Sequence, residues 1–317
     1  MTTSWTSAAF QELTANWPVL VNAAVIPAAA CGGALVIVQA IRTRNGAASC
    51  GSEPAASAGL VDVLALLGLL LWMTLRLRVI PDIQTWTFPP KHSMVALAMT
   101  LAAGGLAAVV IGTVETQRDS AAAWARRCAM VLAWIALAFL AQPRDWTVTE
   151  QWIGRVSCVA AGALLWVVVQ RAHKAEPGMT LLAVALSWLA LGAWADFAGP
   201  SPSMSMIALG CAIMMLIITP FGRCGGRWSL STGSVLLMTT ALVGCGWTIW
   251  FGTRPSHDLP WIALLPLLAI PMVLRLMQVG PRVFASKSRR GVLMRCAVIV
   301  LIAIVAVLWP AIHRSQG

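Results

Sequence analysis

The segment SMVALAMTLAAGGLAAVVIGTV, residues 93–114, carries no charged side chain and is apolar on every face. A helix needs about 20 mainly apolar residues to cross the hydrocarbon core of a bilayer. A spanning barrel strand would need only about ten residues, with alternating polarity. Because the hydrocarbon core contains no water, a helix that keeps its backbone hydrogen bonds internal is favoured. The segment therefore predicts a transmembrane helix.

The composition of the whole chain agrees with this prediction. Of its 317 residues, 59% are hydrophobic and 10% are charged, whereas soluble domains carry about 25% charged residues. A water-soluble protein this apolar would expose large patches that aggregate. We therefore expect an integral membrane protein, embedded in lipid.

Nine further apolar runs accompany the first, and short connectors join them. The ten predicted spans are 17–41, 60–80, 93–114, 124–141, 153–171, 179–198, 203–221, 232–252, 259–279 and 292–312. We predict an all-α, polytopic transmembrane bundle of about ten spanning helices, with no soluble domain. The bundle occupies residues 17–312, and residues 313–317 form a C-terminal tail. Residues 1–16 form an N-terminal tail that could lie on the membrane as a short interfacial helix.

The net charge of +11 comes from Lys and Arg placed between apolar runs. This pattern is typical of membrane loops and does not indicate a nucleic-acid-binding surface. With the N-terminus outside, the inward loops carry fourteen Lys and Arg and the outward loops seven, with Arg275 set aside. Short loops follow this charge bias, so both termini are predicted to lie outside.

Ionisable residues inside a span indicate function, because each is costly in lipid unless it is paired or hydrated. Asp62 in the second run and Arg275 in the ninth come closest, about a turn inside the predicted inner face. They could form an ion pair across the bundle. Alternatively, each side chain extends to the lipid headgroups without a partner in the protein.

The polar stretch RLRVIPDIQTWTFPPKHS, residues 76–93, separates the second and third runs. Its prolines predict a stiff, irregular outer loop, and one interpretation is a connector. Asp82 also resembles the acidic residue that polyprenyl-sugar glycosyltransferases carry in an early outward loop. Under that alternative, the chain is an outer-face enzyme acting on a lipid-linked substrate, and Asp82, His92 and Asp196 are its catalytic candidates.

Ten spans permit a five-plus-five arrangement of inverted repeats, as in many secondary transporters. The third run then corresponds to the eighth. Gly104 and Gly105 in the third lie at depths similar to those of Gly244 and Gly246 in the eighth. These glycines indicate either a transport site or close helix packing by small residues.

The sequence suggests no cofactor or metal. All four histidines lie at run ends or in loops, whereas a haem held in the bilayer needs ligands at depth. The FPP at residues 88–90 and the Trp-containing Ala/Leu segments after it resemble uncharacterised bacterial multi-span proteins. That resemblance implies a bacterial cytoplasmic-membrane protein. We expect a non-enzymatic role, either in transport or as a membrane complex subunit, while protein partners and oligomeric state stay open.

Overall fold

The computed structural model describes residues 21–46, 55–76, 93–115, 117, 119–140, 146–197, 202–220, 230–249, 265–280 and 288–314. Every element of regular structure in these ranges is a helix, which confirms the all-α prediction. A π-helical turn, Val21–Val25, precedes the first α-helix. The α-helices are α1 (Ile26–Gly46), α2 (Ala55–Arg76), α3 (Ser93–Val114), α4 (Ser120–Ala138), α5 (Val148–Ala175), α6 (Pro177–Phe197), α7 (Pro202–Ile218), α8 (Thr232–Trp247), α9 (Leu265–Val279) and α10 (Arg289–Arg314).

Each predicted apolar run overlaps one helix. Among the described residues, five segments are long and apolar enough to cross a membrane, namely Met94–Val114, Ser120–Ala138, Val148–Ala175, Pro177–Ala195 and Arg289–Leu308. The apolar parts of the other five helices are shorter. A 16-residue helix such as α8 extends about 24 Å, less than the hydrocarbon thickness of about 30 Å. A count of ten spans is therefore not confirmed.

Side-chain caps define where three of the helices begin. Asp119 Oδ1 accepts a hydrogen bond from Ala122 N at the start of α4. Thr147 and Glu150 form a capping box at the start of α5. Ser231 Oγ accepts from Ser234 N at the start of α8. Each cap satisfies backbone N–H groups that have no partner within the helix.

Two helices form the centre of the bundle. Helix α6 packs on α5, α7, α9 and α10, and α8 packs on α2, α3, α4 and α5. Nearly every described residue of α8 is buried. Helices α4, α5 and α10 lie at the periphery, where most of their residues are not buried. Their exposed sides suit a lipid environment.

The described tryptophans lie both on the surface and in the core of the bundle. Trp72 and Trp152 are exposed on the surface, at 52% and 59%. Trp188, Trp194 and Trp247 are instead buried among the helices. Burial of a large aromatic residue contributes to the core, so part of the tryptophan content packs the bundle.

Helices α3 and α8 pack closely and run in opposite directions. Ala108 O lies against Gly233 near one end of this contact, and Gly104 faces Thr240 further along it. Gly244 faces Leu97 and Thr100. We call this contact the α3–α8 seam. Its small residues allow two helix backbones to approach one another, as is common in membrane bundles.

Candidate functional site

A buried ion pair lies at the end of the bundle where α5 finishes and α6 begins. Glu176 joins these two helices, and its Oε1 lies 2.6 Å from Arg295 Nη2 on α10. The side chain of Arg295 is fully buried, while that of Glu176 is 18% exposed. A buried guanidinium is tolerated only when it is paired and hydrogen-bonded. The pair therefore fixes the start of α10 against the α5–α6 turn.

Hydrogen bonds also hold the backbone of Glu176. Its N–H donates to Ala172 O at 2.8 Å. Its carbonyl oxygen accepts from Thr180 N at 3.1 Å and from Thr180 Oγ1 at 2.9 Å. These bonds satisfy groups at the end of α5 and the start of α6. They leave the carboxylate of Glu176 in a fixed direction, towards α10.

His173, in the last turn of α5, anchors the segment before α8. Its ring is buried, and Nε2 accepts a hydrogen bond from Leu230 N at 2.8 Å. A nitrogen that accepts carries no proton, so this geometry requires the neutral ring with its proton on Nδ1. His173 thus has a structural role, because it satisfies a buried backbone N–H.

Glu115, directly after α3, caps the N-terminus of α8. Its Oε1 accepts from Thr232 N at 2.8 Å and from Thr232 Oγ1 at 2.6 Å. A carboxylate is favoured there because a helix N-terminus carries partial positive charge. The start of α8 is therefore held by side chains from both α3 and α5. We call the region around Glu176, Arg295, His173 and Glu115 the polar end of the bundle.

Replacing Glu115 with alanine is expected to lower the free energy of unfolding by about 1–2 kcal/mol, as for loss of a helix cap. Glu115→Gln keeps an oxygen acceptor and should lose less than half as much. Unfolding in detergent micelles, followed by tryptophan fluorescence, measures both variants. Equal losses for Ala and Gln would show that the charge, and not the hydrogen bond, supplies the stability.

Arg275 and Asp62 both lie in the described part of the chain. Arg275 Nη1 donates to Gln278 Oε1 at 3.4 Å within α9, and Gln278 Nε2 donates to Ala172 O on α5 at 3.4 Å. Asp62 on α2 is buried. Helix α9 packs on α5, α6 and α10, whereas α2 packs on α1, α3, α7 and α8. The ion pair between Asp62 and Arg275 stays a prediction.

Three of the four glycines that the sequence singles out lie close to a side chain of a neighbouring helix. A Cβ built at Gly104 would lie 3.0 Å from Thr240 Cγ2, and one at Gly105 would lie 2.6 Å from Leu67 Cδ1. A Cβ at Gly244 would lie 3.3 Å from Leu97 Cδ1. Gly246 is buried in α8. These glycines allow close contact between helices.

The structure describes little of the three catalytic candidates. Asp82 and His92 lie outside the described residues, and for Asp196 the structure describes the helical backbone of α6 but not the side chain. Their proposed grouping in an outer groove therefore stays a prediction. Within the described ranges, no group of three or more His, Cys, Asp or Glu side chains could hold a metal ion.

The polar end was not recognised from the sequence. Glu176, Arg295, His173 and Glu115 all lie at the ends of apolar runs, where charged residues are usually solvated. Only the structure shows that a single residue, Glu176, separates α5 from α6, so the sequence carried no signal for a buried acid there. At the polar end, the described contacts of the carboxylates and of the imidazole hold helix ends in place. Among the described residues, the arrangement places no nucleophile beside a general base.

Comparison with protein-family models, with curated proteins and with solved structures finds no protein similar to this chain.

Proposed function

We propose that the chain is a non-enzymatic integral membrane protein that serves as a subunit of a larger membrane assembly. The α3–α8 seam is the observation that carries this proposal. Side chains pack on glycines along the seam, with Thr240 against Gly104 and Leu97 against Gly244. A transport path there would need polar groups facing a space between the helices.

Three hydroxyl groups in this interior bond to helix carbonyls. Thr100 Oγ1 donates to Ala96 O at 2.8 Å, and Ala136 O of α4 lies 3.1 Å away. Thr239 Oγ1 lies 2.9 Å from Val235 O, and Ser187 Oγ donates to Ala183 O at 3.0 Å. Hydroxyls satisfied in this way stabilise a fixed core and are not free to bind a passing solute.

The peripheral helices supply the surface for association. On α4, Trp124 is 65% exposed, and on α10, Leu293 and Leu301 are 67% and 61% exposed. Apolar surfaces of this kind contact lipid or a partner helix. We place the assembly in the bacterial cytoplasmic membrane, with the polar end facing the cytoplasm and both termini outside, on the basis of the charge bias between loops.

A second candidate function, transport by an inverted repeat, is favoured by a motif shared between α3 and α8. Val95, Leu97, Thr100 and Gly104 have the same spacing as Val235, Leu237, Thr240 and Gly244. Their contacts are reciprocal, since Thr240 lies against Gly104 and Thr100 lies against Gly244. Inverted repeats place such helices around a two-fold axis. The neighbouring helices depart from this symmetry, because α3 packs extensively on α4 but α8 packs on α5.

If the α3–α8 seam is fixed, two cysteines introduced on opposite sides of it should form a disulfide. The Cβ built at Gly104 lies 3.5 Å from Thr240 Cβ, within the Cβ–Cβ separation of about 3.5–4.5 Å that disulfides need. The Gly104→Cys/Thr240→Cys variant should form this bond in most molecules under mild oxidation, as detected by mass spectrometry of the linked peptides. Gly68→Cys with Thr240→Cys is the matched control, because a Cβ at Gly68 meets nothing within 4 Å.

Native mass spectrometry of the protein released from its own membrane, with lipids retained, tests the function itself. The subunit proposal predicts a stoichiometric protein partner, retained by the disulfide-linked variant. A monomer or homodimer that carries a small molecule, and loses it when the seam is linked, would overturn the subunit proposal in favour of transport.

A further inference from the structure

Arg155 is a cation on the outward surface of α5, at the end of the bundle opposite the ion pair. Its neighbours Trp152, Ile153 and Val156 are exposed at 59%, 61% and 62%. Arg155 itself is partly buried. These neighbours are apolar residues of a segment long and hydrophobic enough to span a membrane, so this surface of α5 faces lipid.

The length of α5 sets the depth of Arg155. The helix has 28 residues and extends about 42 Å, which exceeds a hydrocarbon core of about 30 Å. If α5 is centred in the bilayer, Trp152 lies at the hydrocarbon boundary, where tryptophan is preferred. Arg155 then lies about 5 Å inside that boundary, within the zone of the uppermost acyl-chain carbons.

The charge of Arg155 is not neutralised by the described residues. Its Cζ lies 5.3 Å from the centroid of the Trp152 ring, a cation–π contact. Its Nε is buried without a hydrogen-bond partner. Glu150 is the described acid on the same helix, and its Oε2 accepts from Thr147 N at 2.7 Å and from Thr147 Oγ1 at 2.8 Å. The guanidinium therefore lacks an anionic partner among the described residues.

We propose that Arg155 and Trp152 form a binding site for the phosphate group of an anionic phospholipid. A guanidinium presents N–H donors in a fork that matches phosphate oxygens, and a lipid phosphate lies just outside the boundary at Trp152. Binding removes an unpaired charge from the edge of the hydrocarbon core, where it is costly. The indole packs against the glycerol region, as aromatic rings do at this level.

The contact between Arg155 and Trp152 also predicts a preference for anionic lipids over choline lipids. A choline headgroup binds aromatic faces by a cation–π interaction, but Arg155 already occupies the face of Trp152. The choline cation would also lie near the guanidinium, which repels it. Phosphatidylglycerol carries the phosphate without the added cation and fits both residues.

Native mass spectrometry of the full chain in detergent, titrated with phosphatidylglycerol or phosphatidylcholine of identical acyl chains, tests the site. For the first bound lipid we expect about a tenfold preference for phosphatidylglycerol, typical of one charge-assisted hydrogen-bonded pair. Arg155→Gln should reduce it to less than twofold, and Arg155→Lys should keep part of it. Arg290→Gln is the matched control, because Arg290 is an exposed cation at the polar end.

A photoreactive phosphatidylglycerol with its reactive group in the headgroup tests the site in the unaltered protein, in case Arg155→Gln does not fold. In the unaltered protein it should label the peptide that contains residues 146–159. Labelling elsewhere, or an unchanged preference in Arg155→Gln, would overturn the proposal. Displacement of the lipid by millimolar inorganic phosphate would also overturn it, because the site would then bind free phosphate without needing a membrane lipid.

Discussion

Replacing Glu176 with alanine is expected to lower the free energy of unfolding by about 3–5 kcal/mol, the cost of breaking a buried ion pair from one side. The variant removes the carboxylate that lies 2.6 Å from Arg295 Nη2, while the side chain of Arg295 stays fully buried. A buried cation that loses its acid keeps the desolvation penalty and loses the attraction. Unfolding in mixed micelles by increasing SDS, followed by tryptophan fluorescence, measures the change.

The double variant Glu176→Gln/Arg295→Met separates charge from packing. Exchange of a buried pair for neutral or apolar side chains of similar size is often neutral or stabilising. We expect the double variant to regain most of the stability that Glu176→Ala loses. Glu150→Ala is the matched control, because Glu150 is an exposed helix-capping acid whose loss should cost much less stability than the loss of Glu176. If the double variant were as unstable as Glu176→Ala, the loss would come from packing at the start of α6.

The positions of the helices could be predicted from the sequence because hydrophobic run length is a local property. Run 93–114 coincides with α3, and the remaining nine runs each overlap a helix. The run 259–279 ends where α9, Leu265–Val279, ends. Residues 259–264 lie outside the described residues, so the predicted start of this run stays a prediction.

The polar end could not be predicted, because it depends on which helices are neighbours. Glu176 and Arg295 are 119 residues apart, and Glu115 and Thr232 are 117 apart. Each residue looks like an ordinary charged or polar group at the end of a span. Only the packing of α10 against α6, and of α8 against α3, brings them together.

Replacing Gly233 with alanine is the second change with a large expected effect, a loss of about 3 kcal/mol or more from overpacking the α3–α8 seam. The added Cβ would meet the carbonyl oxygen of Ala108 and would lie 3.0 Å from Val63 Cγ2. The first of these atoms belongs to the backbone of α3, which cannot turn away as a side chain can. Helix α8 would have to move away from α3 and α2, and the packing of all three helices would suffer.

Two matched variants control for the effect of removing a glycine from a helix. A Cβ at Gly33 on α1, or at Gly68 on α2, meets nothing within 4 Å. Gly33→Ala and Gly68→Ala should raise stability by about 0.5–1 kcal/mol, because alanine loses less backbone entropy in a helix. Gly233→Ala should therefore change the stability in the opposite direction from these two control variants. A stability gain for Gly233→Ala would show that α3 and α8 are not in close contact.

The variant also tests whether the seam and the polar end act together. Gly233 follows Thr232, whose N–H and hydroxyl are both held by Glu115. Displacement of α8 by the new methyl group should break that cap as well as the seam. Once Gly233→Ala is present, Glu115→Ala should then cost less than it does alone, by about 1 kcal/mol, because groups that share one contact are not additive. Full additivity in this double-mutant cycle would mean that the cap survives and that the two contacts hold α8 independently.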